Sequence, residues 1–261
     1  MNKNEKTSEQ SIISSPTIYE TIANAGQEEL SRPFQSLIWS ALAAGLLISF
    51  SLLVEGVLKK HSTGIQADFL FYNIGYTVGF ILVIIGRFQL FTENTITPIL
   101  PLYNAFTRKN LIKTGRLWGI VLSFNLVGTF LIASILAFSP YISNEQLDIF
   151  IQISEDATKG TFNKIFFLAI PAGFLIACLV WLLPSAANSQ ITLIFLVTYI
   201  IAVFDFTHIV AGSTEVFLLL LLNNITVFPG VSFLIAATLG NIIGGTFLFA
   251  LMAYAQVRKE L

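Results

Sequence analysis

His208 is the side chain best suited to proton chemistry, because an unperturbed imidazole titrates near neutral pH. It lies in Phe204–Ser213, FDFTHIVAGS, where an Asp, a Thr, a His, a Gly and a Ser interrupt an otherwise apolar run. An ionisable group at a bilayer centre costs about 2.5–3.5 kcal/mol on insertion scales, so residues placed there are functional by default. The plainer alternative is a neutral structural histidine held by a neighbouring hydroxyl. The other histidine, His61, follows Lys59 and Lys60 and reads as an ordinary loop residue. A second interruption, Arg87–Thr95 (RFQLFTENT), supplies Thr92. Its hydroxyl can face His208 and fix the imidazole tautomer; the alternative is a helix cap or a back-bonded threonine. Arg87 and Glu93 bracket the same stretch. Either they pair and pin it, since buried charges are normally paired, or Arg87 meets an anion. Leu90, Phe91 and Phe206 are candidates for apolar constrictions, although most of the 24 phenylalanines must pack against lipid or helix. Asn125, Asn241 and Thr207 are candidate pore-lining polar groups, because a lone amide facing hydrocarbon is expensive.

These residues need a membrane scaffold around them. The 261-residue chain is 55% hydrophobic and 11% charged, against about a quarter charged in soluble domains. Apolar runs of roughly 20 residues read as transmembrane helices. They fall at Phe34–Leu53, Phe69–Ile85, Leu117–Phe138, Ile165–Leu183, Ile191–Phe204 and Val231–Ala255, with shorter runs at Ile96–Phe106 and Val216–Leu222. The fold class is therefore an all-α membrane protein with six transmembrane helices, whose partner is the lipid bilayer. Residues 1–14 read as a disordered tail and carry no signal-peptide pattern. Residues 15–31 open with Ser15-Pro16, a good helix start, and place Ile18, Ile22 and Ala25 on one face of an amphipathic helix at the cytoplasmic interface. Residues 32–261 form the transmembrane domain. Nine of the 14 Lys and Arg residues fall on the side of the termini and four on the other. The positive-inside rule then puts both termini in the cytoplasm of a cell-membrane, multi-pass protein. The loop from Ser139 to Lys164 faces outside.

Several functions are excluded. A formal net charge of −1 argues against a nucleic-acid partner. There is no His-Glu-x-x-His, no paired intramembrane Asp and no phosphate-cradling Gly-Lys loop, so the chain does not read as an enzyme. Nothing calls for a metal or another cofactor. The lone Cys178 cannot form an internal disulfide and reads as a packing residue.

The halves of the chain repeat, at about 34–138 and 163–257. Ala44–Ser49 resembles Ala172–Ala177, Leu90–Glu93 resembles Asp205–His208, and Asn125–Gly128 resembles Asn241–Gly244. Three spans in each half force the second to sit upside down relative to the first, an inverted repeat of the kind common in transporters and channels. The second and fifth helices are then broken at the two polar interruptions, which face each other across a pore. Backbone breaks are tolerated there because water or substrate reaches them. Half-helices resuming near Asn94–Thr95 and Gly212–Ser213 would aim N–H groups at the pore centre, which favours anions.

With these markers the chain resembles the formate/nitrite transporter family from about Pro16 to the C-terminus. The residues that carry the resemblance are Phe91-Thr92, Phe206-Thr207-His208, Asn125–Gly128 and, most specifically, Leu239–Gly245 (LGNIIGG). The stretch GRFQLFTENT, Gly86–Thr95, is similar to a YfdC-like branch of that family. The resemblance implies an aquaporin-like protomer and a homo-oligomer of five protomers, each with its own pore. It implies a channel or transporter for small monovalent anions such as formate, nitrite, hydrosulfide or lactate, with His208 at the pore centre. It also implies basic residues drawing anions into the outer vestibule, where Lys159 and Lys164 are the nearest candidates; the alternative is a pair of solvated loop charges. The chain departs from the family's pattern at Thr207 (Glu), Gly212 (Asn) and Gly173 (Asn), and at Arg87 and Glu93, which replace uncharged residues. The expectation is proton-linked transport of weak-acid anions. The alternatives are a water- or ammonia-type channel, which lacks the usual paired Asn-Pro-Ala breaks here, and a non-transporting membrane scaffold.

Overall fold

In the computed structural model, which describes residues 13–62, 64 and 66–261, every regular element is helical. The expected disordered tail, 1–14, lies outside the described residues except for its last two positions. Four helical segments are long and apolar enough to cross a membrane: Phe34–Ser62, Arg108–Phe138, Phe162–Ser185 and Val227–Val257. The first bends at Ser49, between α2 (Phe34–Ile48) and α3 (Phe50–Ser62). There the Ser49 hydroxyl donates to the Gly45 carbonyl at 2.9 Å, the back-bonding that commonly bends helices. The helix Arg108–Phe138 (α6) has 31 residues, roughly 46 Å at 1.5 Å per residue, so it overshoots a hydrocarbon core of about 30 Å.

The other two apolar runs are interrupted helices. The helix α4 (Phe69–Ile85) stops before a short 3₁₀ turn at Glu93–Thr95, and the chain resumes as the six-residue α5 (Ile99–Asn104). Following α7 (Asn144–Thr158) and α8 (Phe162–Leu182), the helix α9 (Gln190–Val203) stops and α10 (Ile209–Leu221) resumes directly. The final span runs as α11 (Val227–Ile242), a π-helical stretch at Ile243–Ala250 and α12 (Leu251–Val257). The wide turns of the π segment accommodate the first break: a Cβ on Gly245 would fall on the Thr95 hydroxyl, and Thr246 donates to the Thr95 carbonyl at 2.6 Å.

Two elements differ from the sequence expectation. Within the Ser139–Lys164 segment, expected as a loop, α7 forms a helix capped by the Ser143 hydroxyl. Phe150 of α7 presses on Gly56, where a Cβ would meet the phenyl ring, so α7 closes over the end of α3. The helix α1 spans Ser15–Ser31, and its apolar face is seated on protein. Ile18, Tyr19, Ile22 and Leu30 are buried, and the Tyr19 hydroxyl bridges the Leu100 carbonyl and Asn104 Oδ1 at 3.0 and 2.7 Å.

Candidate functional site

The two helix breaks have the same backbone geometry. Each turns through a non-glycine residue with positive φ, Arg87 at 54° and Asp205 at 52°. Each is closed by the same pattern of N–H donation: Phe88 to the Val83 carbonyl and Phe206 to the Ile201 carbonyl, Arg87 to Ile84 and Asp205 to Ala202. Each is then clamped by one asparagine. Asn125 Oδ1 accepts the Phe91 N–H at 2.9 Å, while its Nδ2 donates to the Ala41 and Gln89 carbonyls at 2.8 and 2.9 Å. Asn241 Oδ1 accepts the Ile209 N–H at 2.9 Å, while its Nδ2 donates to the Ala169 and Thr207 carbonyls at 2.7 and 3.0 Å. Glycine permits the close approach. A Cβ at Gly45 would overlap the Asn125 carbonyl oxygen, and one at Gly173 the Asn241 carbonyl oxygen.

This geometry corrects the sequence register by three residues. Matching Phe-Thr to Phe-Thr equated Phe91 with Phe206, whereas the backbone equates Arg87 with Asp205, Phe88 with Phe206, Leu90 with His208 and Phe91 with Ile209. It also corrects the expected role of Asn125 and Asn241. Both are fully buried and line neither cavity, and each amide ties two backbone groups of a break to one carbonyl of a neighbouring helix, Ala41 of α2 or Ala169 of α8, so they hold the breaks in place.

The breaks meet at Thr92 and His208. Thr92 Oγ1 lies 2.7 Å from His208 Nε2, and both residues are buried. His208 is itself the N-cap of α10, its Nδ1 accepting the Ala211 N–H at 3.2 Å. A proton on Nδ1 would face that N–H, so the cap selects the neutral ring with hydrogen on Nε2, which donates to Thr92. The Thr92 hydroxyl hydrogen has no acceptor among the described residues. The Phe80 ring stands edge-on to the imidazole at a centroid distance of 4.9 Å.

A cavity lies on either side of this contact. The larger, about 320 Å³, is walled by α1, through Thr21, Ile22 and Glu29, and by Arg87, Phe88, Leu90 and Glu93. The smaller, about 90 Å³, lies under α7 and is lined by Glu55, Asn73, Tyr76, Asp205, Phe206, Thr207, His208 and Glu215, among others. Leu90 and Phe206 thus lie in opposite cavities, and Phe88 is the geometric partner of Phe206 that sequence matching missed. Phe91 lines neither; it is 1% exposed and packs against Trp118 at 5.9 Å.

Two electrostatic expectations do not hold. Arg87 and Glu93 share the larger cavity but form no ion pair; Lys60–Glu145, at 2.8 Å, is the single ion pair among the described residues. Arg87 is exposed on the single chain and lines the larger cavity, so it is not a buried charge that demands a counter-charge within the chain. Lys159 and Lys164 line neither cavity. Both are exposed, and Lys164 Nζ donates to the Lys159 carbonyl at 3.0 Å. The smaller cavity is lined instead by Glu55, Asp156, Asp205 and Glu215, with Lys59 as its one basic group. The sequence reading overlooked Glu55 and Glu215. The signal for Glu215 was there: one carboxylate inside the apolar run of α10. On the α1 side, burial lifts the Glu29 carboxyl from 4.5 to about 7, outweighing its neighbours Gln89 and Arg32.

The chain is similar to known proteins along most of its length. Residues 16–255 match the family model described as formate/nitrite transporter. The inner membrane protein YfdC of Escherichia coli (strain K12) is 42% identical over 248 residues, 94% of this chain and 79% of that one. The uncharacterized transporter YrhG of Bacillus subtilis (strain 168) is 25% identical over 93% of each. Among solved structures, one described as an FNT family ion channel superposes with a TM-score of 0.75 at 16% identity, covering 93% of this chain and 98% of the other. A pentameric formate channel with formate bound gives 0.71 at 20% identity, covering 90% and 98%. The fold, the apolar helices and the family match agree: this chain is a membrane protein of the formate/nitrite transporter family.

Proposed function

We propose that the chain is a proton-linked channel for small monovalent weak-acid anions of the formate or nitrite kind. In this reading it has six spans in two inverted repeats, both termini in the cytoplasm, α1 at the cytoplasmic end, and one pore in each protomer of a pentamer. The observation that carries the reading is the Thr92–His208 contact, which joins the two helix breaks between two cavities. Leu90 and Phe206 narrow the path on either side of it.

Magnitudes favour a neutral permeant. An unpaired anion in an apolar constriction faces an idealised cost of tens of kcal/mol. Protonating a carboxylate of pKa near 4 at pH 7 costs about 4 kcal/mol, at ~1.36 kcal/mol per unit. The anion takes a proton from vestibule water, crosses as the acid, and returns the proton to water beyond. At the gate the free Thr92 hydroxyl hydrogen is offered to the acid's oxygen, while His208 Nε2–H holds the threonine. The acidic lining of the smaller cavity does not oppose this route. A negative potential lowers anion occupancy and raises proton occupancy by the same factor, leaving the concentration of neutral acid unchanged. The same lining favours one second reading, a channel for neutral small solutes such as ammonia.

Stopped-flow uptake into proteoliposomes, with a panel of weak acids against water and ammonia, separates the readings. Formate and nitrite are expected to enter faster than into protein-free vesicles. Faster entry of water or ammonia alone favours the neutral-solute channel, and no acceleration of any solute favours a scaffold.

A further inference from the structure

We propose that the smaller cavity, under α7, is a binding site for a small monovalent cation of ammonium type, held by Glu55 and Glu215. Both side chains line the cavity, each is 6% exposed, and neither accepts a hydrogen bond from a described residue. Carboxylates at membrane depth are normally paired. The one basic group lining the cavity does not pair with them: Lys59 Nζ sits 5.2 Å from the centre of the Tyr72 ring and forms no ion pair. A separate group points the same way. Asn73 of α4 lines the same cavity, is 6% exposed and has no side-chain partner among the described residues. Two carboxylates and an amide oxygen suit a cation that carries several N–H donors, and the Tyr76 ring beside them offers a π face. Asp156 and Asp205 at the mouth draw cations in.

The lining restricts the occupant. No cluster of three or more His, Cys, Asp or Glu able to hold a metal occurs among the described residues, which favours a cation held through its own N–H donors. A bound ammonium-type cation supplies positive charge within the lining itself, which Lys159 and Lys164 do not join.

The test is equilibrium binding of radiolabelled methylammonium to the full chain in lipid nanodiscs at mildly alkaline pH. Saturable binding is expected, displaced by ammonium chloride and not by choline chloride. Glu55→Gln or Glu215→Gln should weaken it at least tenfold, with the size-exclusion profile unchanged. Lys59→Gln removes a competing charge and should tighten it severalfold, which decides the matter should the glutamate variants fail to fold. The proposal is overturned by the absence of saturable binding, by equal displacement with choline, by unchanged affinity in both glutamate variants, or by unchanged or weaker affinity in Lys59→Gln. Binding requires no transport, so this outcome is independent of whether weak acids are carried.

Discussion

At the residue scale the account turns on a histidine with both ring nitrogens engaged. Exchanging His208 for Asn keeps a polar cap and removes titration. Weak-acid uptake by His208→Asn should fall severalfold while the protein still folds and the pH profile still follows the fraction of neutral acid; uptake at the parent rate makes the histidine a structural cap. Glu29 gives a second expectation. Its Oε2 is buried without a partner, and its pKa is about 7 against an ordinary 4.5. The native state therefore holds this proton more tightly than the unfolded state. Stability falls as pH rises from 4.5 to 7 and is level above, by about 3 kcal/mol at ~1.36 kcal/mol per unit. Thermal unfolding in detergent at several pH values should show Glu29→Gln losing less stability across that window than the parent. His208, Thr92 and Phe206 were legible in the sequence as polar or aromatic interruptions of apolar runs. The pairing partner of Phe206 was not. Phe-Thr occurs in both breaks, and residue identity pulled the alignment onto that coincidence, whereas the true register is written in backbone: positive φ at Arg87 and Asp205 and the two asparagine clamps.

At the element scale the clamps satisfy part of the backbone that two helices free where they break inside a membrane. Asn125→Ala strands the Phe91 N–H and the Gln89 carbonyl and removes a second bond from the helical Ala41 carbonyl, each stranded group at about 1–3 kcal/mol. Asn241→Ala does the same to the Ile209 N–H, the Thr207 carbonyl and the helical Ala169 carbonyl. Each substitution should lower stability by about 2 kcal/mol or more. The double variant should lose roughly the sum, since the two clamps share no partner. Apparent melting temperatures in detergent check this, and a shift of a degree or less for either single variant contradicts the clamp. Long apolar helices were readable from composition alone. The helix α7 was not, because it is short, mixed in polarity and stabilised by docking on Gly56 and α10 more than by a continuous apolar run.

At the scale of the whole molecule, large apolar side chains remain exposed on the single chain, among them Trp39 at 70% and Phe167 at 66%. Lipid and neighbouring protomers are the two surfaces able to cover them. The proposed pentamer predicts a five-fold mass by native mass spectrometry in mild detergent; a monomer or tetramer refutes it. The acidic lining of the smaller cavity was not legible as one site, because the side chains that set it come from separate helices and one of these, α7, was read as a loop.

The central claim is that a weak acid crosses each protomer in neutral form past Thr92 and His208. The direct measurement is lumenal pH in proteoliposomes during formate uptake, with labelled formate counted in the same vesicles and protein-free vesicles as the baseline. Entry of the acid releases one proton inside for each formate, so the lumen should acidify in step with uptake, and Thr92→Val should slow both together. Protein-dependent accumulation of formate with no change in lumenal pH would contradict the account, because the anion would then cross with its charge.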